Sequence, residues 1–296
     1  MKNLVIIGGG FAGARIAKKL QNKFNVTLTD TKDYFEFTPG ILRTLVEPNH
    51  LSKILVKHKK YLPNASFIQE TIKEITPYHV KFGKNNSIPY DYLVIASGSH
   101  YSAPIKQKDI ISTIRSKEVR EHEKKITNAR KITIVGGGLV GLELAAELCT
   151  HYPEKKITIV HAGNCLIERN CSKSQKYALR FLKKNGVEIL FNEHAKDKKN
   201  SKITTKSGRS ISSDLTFFCT GIIPNTQEFQ DSISTALTHK KYLEVNEFLQ
   251  LKGHHHIFVA GDVTGIKEEK TAQTAESHAD LIIKNILRKE SNKSLI

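Results

Sequence analysis

The chain has 296 residues, too many for one hydrophobic core to be the default, so two domains are expected. Hydrophobic residues make up 39% and charged residues 25%, a globular composition without the roughly 18 consecutive apolar residues that cross a bilayer. The formal net charge of +17 permits attraction to anionic lipid, nucleic acid or phosphate-bearing ligands. Because the lysines are scattered rather than gathered in one block, we favour a solvated lysine-rich surface over these alternatives.

The first predicted unit is a strand, a glycine turn, a helix and a second strand. Residues 4–7 form an apolar run typical of a buried parallel strand and too short for a signal peptide, so we expect a cytoplasmic protein. The turn 8–13 (GGGFAG) follows, then a helical stretch over 14–20 and a strand over 25–30 that ends in an acid. This order within about 30 residues is that of a dinucleotide-binding βαβ unit.

The residue types of this turn suit a diphosphate. Gly8 would make the tight turn, Gly10 would let a pyrophosphate approach the backbone, and Gly13 would let helix and strand pack closely. The phosphates would then bind the free N–H groups at the positive end of the helix. Asp30 can accept a hydrogen bond from a ribose 2′-hydroxyl, which suits the adenosine ribose of FAD or NAD.

A second copy of the pattern lies in the middle of the chain. A strand, a turn and a helix over 131–148 include the second glycine turn, 136–141 (GGGLVG), and a further strand covers 156–161. Two glycine turns without a ligand are the alternative, but the repeated strand–turn–helix context argues against it. In place of Asp30 the second copy has His161, which has no carboxylate to repel a 2′-phosphate, so this motif leaves both NADH and NADPH open.

The cysteines and histidines predict no metal or dithiol site. None of the four cysteines forms a C-x-x-C pair, so a dithiol relay of the disulfide-reductase kind is not expected. Cys149 and Cys219 lie in apolar surroundings that favour buried packing over reactivity. Three adjacent histidines at 254–256 cannot all face one ion from an extended strand, where neighbours alternate sides.

The order of these motifs resembles that of the two-dinucleotide-binding-domain flavoproteins, the pyridine nucleotide-disulfide oxidoreductase superfamily. Segment 95–99 (IASGS) resembles the family's ATG segment, 219–225 (CTGIIPN) its TG…PN segment and 257–262 (IFVAGD) its late FAD motif. Residues 152–161 (YPEKKITIVH) are similar to the type II NADH dehydrogenase and apoptosis-inducing-factor-like proteins. Among these they are most similar to the ferroptosis-suppressor branch, whose members are NAD(P)H:quinone oxidoreductases. The resemblance covers nearly the whole chain, residues 4–286.

The resemblance implies further FAD contacts that the residues alone do not. Arg43 would contact FAD, for which a guanidinium suits the phosphates, Pro39 would lie near the isoalloxazine ring, and Ile72 would meet the adenine through its backbone. For Arg43 the alternative is a charged side chain on a helix surface. For Ile72 the alternative is a buried core position, which is compatible with the adenine contact. The expected FAD contacts are Gly8, Gly10, Phe11, Ala12, Gly13, Asp30, Lys32, Pro39, Arg43, Ile72, Ala96, Ser97, Gly98, Gly261, Asp262 and Gln273.

Glu143 is the leading candidate for chemistry, because family members have a glutamate in the first turn of this helix, pointing at the nicotinamide–flavin contact. It could position the nicotinamide, relay the proton that quinone reduction needs, or serve the helix macrodipole, and these roles are not exclusive. Gln273 is the second catalytic candidate, since it lies in segment 271–278, which resembles the dehydrogenase segment that edges the flavin and the quinone channel. Ser277 replaces that segment's second glutamine, so we expect an altered quinone pocket. The expected NAD(P) contacts are Gly136, Gly138, Leu139, Val140, Gly141, Glu143, His161, Thr220 and Gly221.

We therefore predict the α/β class, with two Rossmann-like FAD- and NAD(P)-binding domains of parallel sheets, the second inserted in the first. The FAD-binding domain would comprise residues 1–117 and 249–296, and the NAD(P)H-binding domain residues 118–248. The C-terminal domain that usually follows in the family is expected to be absent. The predicted cofactors are FAD, with NADH or NADPH as co-substrate, their rings stacked so that hydride passes from C4 of the nicotinamide to N5 of the flavin.

Reduced flavin would pass two electrons to an acceptor, and the resemblance implies a quinone. A second hypothesis is a small electron-carrier protein of the ferredoxin or rubredoxin type, bound through the basic surface. A third, ranked lower, is redox-dependent nucleic-acid binding. Because the sequence has no helix-turn-helix, zinc finger or aromatic-interleaved basic patch, no nucleic acid is expected. Peripheral contact with an anionic membrane at the cytoplasmic face and a homodimer both stay open.

Overall fold

A computed structural model of the chain describes residues 1–83, 86–101, 105–106, 112–199 and 201–296. The strands are β1 (Asn3–Ile7), β2 (Asn25–Asp30), β3 (Tyr34–Glu36), β4 (Leu55–Lys57), β5 (Ser66–Gln69), β6 (Ile72–Ile75), β7 (His79–Phe82), β8 (Asn86–Pro89), β9 (Tyr92–Ile95), β10 (Ser99–His100), β11 (Lys131–Val135), β12 (Lys156–Val160), β13 (Glu188–Leu190), β14 (Ala195–Lys199), β15 (Lys202–Thr205), β16 (Ser210–Ser212), β17 (Leu215–Phe218), β18 (Ile223–Pro224) and β19 (Ile257–Val259). The α-helices are α1 (Phe11–Leu20), α2 (Ile41–Thr44), α3 (Leu51–Ile54), α4 (His58–Tyr61), α5 (Ser112–Asn128), α6 (Leu139–His151), α7 (Ser172–Lys184) and α8 (Ala272–Glu290). Turns of 3-10 helix cover Thr38–Gly40, Pro48–His50, Gln230–Ala236 and Gly261–Val263.

The first sheet has five parallel strands in the order β19-β9-β1-β2-β5. In its centre Ile6 of β1 lies between Leu28 of β2 and Val94 of β9. Ile6 packs with α1 and α8 on one face, whereas Val5 packs with residues of β6, β7 and β19 on the other. Because both faces are covered, β1 is a continuous apolar run, as a buried parallel strand requires.

The second sheet has four parallel strands in the order β13-β12-β11-β17. Ile134 of β11 lies between Ile159 of β12 and Phe217 of β17, and all three side chains are buried. The same apolar cluster includes Leu144 of α6 and Leu45, which directly follows α2. The short helix α2 therefore packs its apolar side chains against the helix that opens at the second glycine turn.

The chain leaves the first sheet after β9, builds the second sheet, and returns to the first with β19. The two segments that connect the sheets pair with each other as antiparallel strands, with Ser99 of β10 opposite Pro224 of β18. This order agrees with the predicted α/β class, while the domain bounds 1–117, 118–248 and 249–296 stay predictions. The last helix, α8, packs on the first sheet's helix α1, and its Ile282 and Ile286 are fully buried there.

Within the described ranges, no helix is long and apolar enough to cross a membrane. Over the same residues, no group of three or more His, Cys, Asp or Glu side chains could hold a metal ion. In the histidine triplet, His256 stacks on Tyr78 and its Nε2 donates to the Pro77 carbonyl at 2.7 Å, so this ring packs as a local anchor.

Candidate functional site

The first glycine turn has a backbone that only glycine fits at two positions. Gly8 has a φ of +97°, and a Cβ there would collide with the carbonyl oxygen of Ala96. A Cβ at Gly13 would collide with the carbonyl oxygen of Gly8, because α1 crosses β1 so closely. Gly10, the residue that caps α1, has open space where its Cβ would be. Open space above the N–H groups of a helix N-terminus is what a bound diphosphate needs.

The second turn repeats this geometry. Gly136 has a φ of +111°, and a Cβ there would collide with the carbonyl oxygen of Cys219. A Cβ at Gly141 would collide with the carbonyl oxygen of Gly136, and Gly138, which caps α6, has open space around it. The two turns therefore share one backbone design, in which the first and last glycines exclude a Cβ, while the diphosphate contact of Gly10 and Gly138 stays a prediction.

The residue after each second strand holds its turn in place. The Gly9 N–H donates to Asp30 Oδ2 at 2.5 Å, while Asp30 Oδ1 accepts from the Lys32 N–H at 2.9 Å. In the second unit the Gly137 N–H donates to Nδ1 of His161 at 3.1 Å. His161 thus occupies the structural position of Asp30, with an imidazole instead of a carboxylate.

A buried histidine beneath the first turn was not found from the sequence. The His58 ring lies directly under Gly9, its Nδ1 is 2.6 Å from the Tyr61 hydroxyl, and it packs on Phe67 with ring centroids 4.9 Å apart. Within the described residues, its buried Nε2 has no hydrogen-bond partner. Burial lowers the pKa of His58 against the attraction of Asp30, so its neutral form is favoured. A lone histidine in α4 carries no sequence signal for this position.

One cavity of about 760 Å³ lies between the two units. Most of the predicted FAD-binding residues line it. These are Gly8, Gly10, Phe11, Ala12, Asp30, Lys32, Pro39, Ile72, Ala96, Ser97, Gly98, Gly261, Asp262 and Gln273. Gly13 lies beneath the turn as a packing residue, and Ile72 is buried while also facing the cavity, so both of its predicted roles are compatible with the structure.

The second unit contributes to the same cavity through the first turn of α6. Leu139, Val140 and Glu143 line it. The Glu143 side chain opens into the cavity, yet protein around it raises its pKa by burial, and repulsion from Glu147 one helical turn later adds to the rise. A carboxyl group with a raised pKa, open to the space between two dinucleotide sites, can hold or release a proton there.

The remaining predicted NAD(P) residues lie around the second turn rather than on the cavity wall. They are Gly136, Gly138, Gly141, His161, Thr220 and Gly221. Gly221 has a φ of +122°, and its N–H donates to the Tyr101 hydroxyl at 3.2 Å. This contact joins the two segments that connect the sheets, next to the paired strands β10 and β18.

Asp262 belongs to a compact polar cluster on the cavity wall. Its Oδ2 accepts from Lys106 Nζ at 2.7 Å and from the Ser99 hydroxyl at 2.6 Å. Burial opposes ionisation of Asp262, but the Lys106 ammonium outweighs it and holds the pKa of Asp262 below its usual range. Lys106 was not found from the sequence, because it lies 156 residues before its partner and outside every motif.

Arg43 lies elsewhere than the resemblance implied. Its Nε pairs with Glu147 Oε2 of α6 at 2.8 Å and its Nη1 with Glu47 Oε1 at 3.2 Å, and it is not among the residues that line the cavity. Its neighbours Ile41 and Leu42 face the cavity instead, because the single turn of α2 directs the next side chain toward α6. The structure thus favours the alternative of a helix charge, and the FAD contact of Arg43 stays untested.

Two further side chains lie at the edge of the cavity where α8 begins. Thr271 caps this helix by accepting the Thr274 N–H at 3.2 Å, which leaves Gln273 in the first turn facing the cavity. Beside it, Lys270 Nζ donates to the carbonyl and the hydroxyl oxygen of Thr264 at 2.8 and 2.9 Å. Burial lowers the pKa of Lys270, with Glu268 opposing the shift. Lys270 is a cavity residue that the motifs did not indicate.

Nearly the whole chain is similar to known proteins of one family. The family model for pyridine nucleotide-disulphide oxidoreductases matches residues 2–279. Apoptosis-inducing factor homolog B of Dictyostelium discoideum is 34% identical over 320 aligned residues, which cover 99% of this chain and 82% of that protein. Ferroptosis suppressor protein 1 of Homo sapiens is 28% identical over 308 residues, with the same 99% and 82% coverage.

Solved structures share the fold over the same extent. The sulfide:quinone oxidoreductase of Aquifex aeolicus superposes with a TM-score of 0.83 at 22% identity, covering 99% of this chain and 78% of that one. A putidaredoxin reductase in its covalent complex with putidaredoxin gives a TM-score of 0.81 at 17% identity, covering 100% of this chain and 76% of that one. At these identities the likeness concerns the fold.

Proposed function

The chain belongs to the pyridine nucleotide-disulphide oxidoreductase family, and from this premise we propose that it is an NAD(P)H dehydrogenase that passes two electrons to a quinone. The family, the two-unit α/β fold and the cofactors, FAD with NADH or NADPH, are confirmed as predicted. The protein is accordingly an FAD-dependent pyridine nucleotide oxidoreductase. The quinone acceptor and the roles of individual residues are the parts that we propose.

The observation that carries the proposal is that both glycine-turn units line one cavity. A cavity of about 760 Å³ falls in the range of ligand sites in proteins, and residues from α1 and α6 meet across it. The residues present fit FAD, since open space at Gly10 and a carboxylate at Asp30 provide for its diphosphate and ribose. Bound FAD would supply the two-electron chemistry, accepting hydride from the nicotinamide and passing electrons on.

The protein's own residues would bind and orient. The N–H groups at the start of α1 and α6 would each hold a diphosphate, and Asp262 would accept a hydrogen bond from the FAD chain. Lys106 and Ser99 hold the Asp262 carboxylate in one orientation, so it would be ready without reorganisation. Two fixed dinucleotide sites that face one cavity bring two redox rings together, and proximity of this kind is a large part of catalysis in bimolecular reactions.

Glu143 would relay the proton that accompanies two-electron reduction of a quinone. Its side chain is accessible from the cavity, but desolvation by the surrounding protein and, second, repulsion from Glu147 raise its pKa, so its protonated form persists to higher pH than that of a glutamate in water. A proton donor with its pKa nearer to neutrality is the more effective one at neutral pH.

The cavity wall also supports an apolar acceptor. Phe37 is 46% exposed and Leu139 38% exposed, although both are large apolar residues, and both line the cavity together with Pro39. Exposed apolar side chains on a concave wall are typical of a site for a flat apolar ligand. A quinone has these properties.

A small electron-carrier protein is the second candidate, because the net charge of +17 would attract an acidic carrier and the fold is shared with a putidaredoxin reductase. Its signature would be turnover that falls steeply with salt when the acceptor is an acidic carrier, but not when it is a soluble quinone. Contact with an anionic membrane and a homodimer stay predictions.

The test uses the purified FAD-loaded protein under anaerobic conditions. We expect the flavin absorbance to bleach on addition of NADH or NADPH and to return on addition of a soluble quinone. Bleaching without reoxidation by quinone, but with reoxidation by an acidic carrier protein, would favour the second candidate. A yellow protein that neither nucleotide bleaches would contradict dehydrogenase function while leaving the fold intact.

A further inference from the structure

The second dinucleotide site has an acid near its ribose end that the motif lacks. We propose that Glu168 provides this carboxylate and makes the site prefer NADH over NADPH. The inference rests on the proposed NAD(P)H-dependent function and names the nucleotide that this function uses. It depends on three features of the loop that follows β12: the orientation of His161, the anchoring of the loop, and the place of the Glu168 carboxylate.

His161 cannot itself accept a hydrogen bond from a ribose hydroxyl. Its Nδ1 already accepts the Gly137 N–H at 3.1 Å, so a neutral ring must carry its proton on Nε2. That Nε2 is buried, and in the described part of the chain it has no aligned hydrogen-bond partner. The imidazole therefore holds the turn as Asp30 does in the first unit, but it leaves the recognition of the ribose to another group.

The loop beyond His161 is anchored to the second glycine turn. The Ile167 N–H donates to the Gly137 carbonyl at 2.9 Å, and the Leu166 side chain is packed where a Cβ on Gly137 would lie. Ile167 is buried and has a φ of +44°, a conformation that is unfavourable for a β-branched residue. Such a conformation persists only where surrounding contacts fix it, so the position of the next residue, Glu168, is fixed by these contacts too.

The Glu168 carboxylate is directed back toward the turn. Its Oε1 lies 3.5 Å from Nε2 of His161, and it covers Gly163 so closely that a Cβ on that glycine would collide with it. The contact with Nε2 does not meet the geometry of a hydrogen bond, which leaves the carboxylate able to accept one from a ligand. With 54% of its side chain exposed, Glu168 can reach a nucleotide that lies along α6.

A carboxylate at this place discriminates by charge. It can accept a hydrogen bond from the 2′-hydroxyl of NADH, whereas the 2′-phosphate of NADPH would meet a like charge. Arg169 is the residue that could oppose this preference, but its guanidinium extends away to Glu269 Oε1 at 3.4 Å and is 77% exposed. We therefore expect Glu168 to dominate, with Arg169 giving NADP⁺ at most a minor contact.

The experiment measures binding to the oxidised FAD-loaded protein by titration calorimetry with NAD⁺ and NADP⁺, which differ only in the 2′-phosphate. We expect the protein to bind NAD⁺ more tightly, and Glu168→Gln to reduce the ratio of the two dissociation constants about tenfold. Glu154→Gln is the matched control, since Glu154 is also well exposed, at 67%, but precedes β12 at the opposite end of the sheet. It should leave the ratio unchanged.

An NADP⁺ preference in the unmutated protein would overturn the proposal, as would an unchanged ratio in Glu168→Gln. If Arg169→Gln weakened NADP⁺ binding more than Glu168→Gln strengthened it, Arg169 rather than Glu168 would set the preference, and the proposal would be wrong. Because these readouts are binding constants, they stay separate from the dehydrogenase test. A protein that discriminates between the nucleotides but is not bleached by NADH would contradict the proposed function alone.

Discussion

The two glycine turns have the same backbone and different side chains behind it. In both, a positive φ at the first glycine and a close helix crossing at the last exclude a Cβ, while the middle glycine is open to a ligand. Behind the first turn are Asp30 and the buried ring of His58, and behind the second are His161 and Leu166. We infer from this difference that the turn's backbone would hold a diphosphate, whereas the side chains around it would select the nucleotide that carries it.

The largest effect should come from placing a Cβ at the first glycine of either turn. We expect Gly8→Ala to lose FAD and to destabilise the fold by about 1–3 kcal/mol, because the new methyl group meets the Ala96 carbonyl at a positive φ. Gly136→Ala should keep FAD but lose NAD⁺ binding. Flavin absorbance per protein and calorimetry with NAD⁺ measure the two losses.

Gly10→Ala and Gly138→Ala are the matched controls, since a Cβ at either position meets open space. They should leave the melting temperature of the FAD-free protein unchanged and weaken only the binding of the nucleotide at their own turn. Loss of both ligands from a single variant would show that the two units are not separate binding sites.

The next effect concerns Glu143, which belongs to the second unit but faces the cavity with the first. We expect Glu143→Gln to slow quinone reduction by about a hundredfold or more, with FAD content and NAD⁺ affinity nearly unchanged. Because the pKa of Glu143 is raised, activity that needs its proton should fall as pH rises through that pKa. Steady-state rates across pH measure this limb, which Glu143→Gln should abolish.

Glu147→Gln is a second test of the proton role of Glu143. Removing the repulsion from Glu147 should lower the pKa of Glu143, so the falling limb should move to lower pH in this variant. FAD content serves as the check that α6 stays in place. Identical pH profiles for the unmutated protein and Glu143→Gln would rule out the proton role and leave Glu143 as an acid at a helix N-terminus.

A smaller effect, on the pH dependence of stability, should come from the buried ring of His58 in the first unit. Burial lowers the pKa of His58 in the folded protein, so the unfolded chain binds its proton more readily. Stability is therefore full above the ordinary histidine pKa of about 6.5 and is lost as pH falls below it. We expect His58→Phe to lose less stability between neutral and mildly acid pH, measured by thermal unfolding.

Burial also lowers the pKa of His278. His278 should therefore account for part of the pH dependence of stability that remains in His58→Phe. The matched variant is therefore His278→Phe alone, which should keep the part due to His58. If His58→Phe showed the same dependence on pH as the unmutated protein, the ring under Gly9 would not be held neutral.

The smallest effect should come from Arg43, which joins the two units through Glu147. As a partly exposed ion pair, it should contribute less than about 1 kcal/mol, so Arg43→Gln should barely change the melting temperature. FAD content decides between the two interpretations of this residue. Full retention of FAD fits the ion pair with Glu147, and a large loss would support the FAD contact that the resemblance implied.

Much of the fold and of the FAD site follows from local patterns. The predicted strand over 131–135 has the observed bounds, and the helices after both turns start earlier than predicted, at Phe11 and Leu139, because the capping glycine immediately precedes them. The cavity lining contains most of the residues that the motifs and the resemblance indicated. Those in the first glycine turn were predictable because its backbone sets its residue types, whereas Pro39 and Ile72 came only from the resemblance.

Residues that act through partners distant in sequence were not predictable in this way. Lys106 reaches Asp262 across 156 residues, and Arg43 turns to Glu147 instead of the cavity. His58 lies under a turn almost 50 residues before it. No pattern of spacing marks such positions, because each depends on how separate elements pack.

The amino-acid sequence by itself determined the two glycine turns, the parallel strands that lead into them, and the difference between Asp30 and His161. Glycine and apolar strand residues shape the backbone over a few neighbouring positions, so a local sequence pattern is enough to predict their effect. Only the tertiary structure decided that the first turn and the start of α6 line one cavity and that the Glu168 carboxylate returns to the side of His161. Contacts of this kind depend on the folding of a loop onto a turn, which the order of residues does not display.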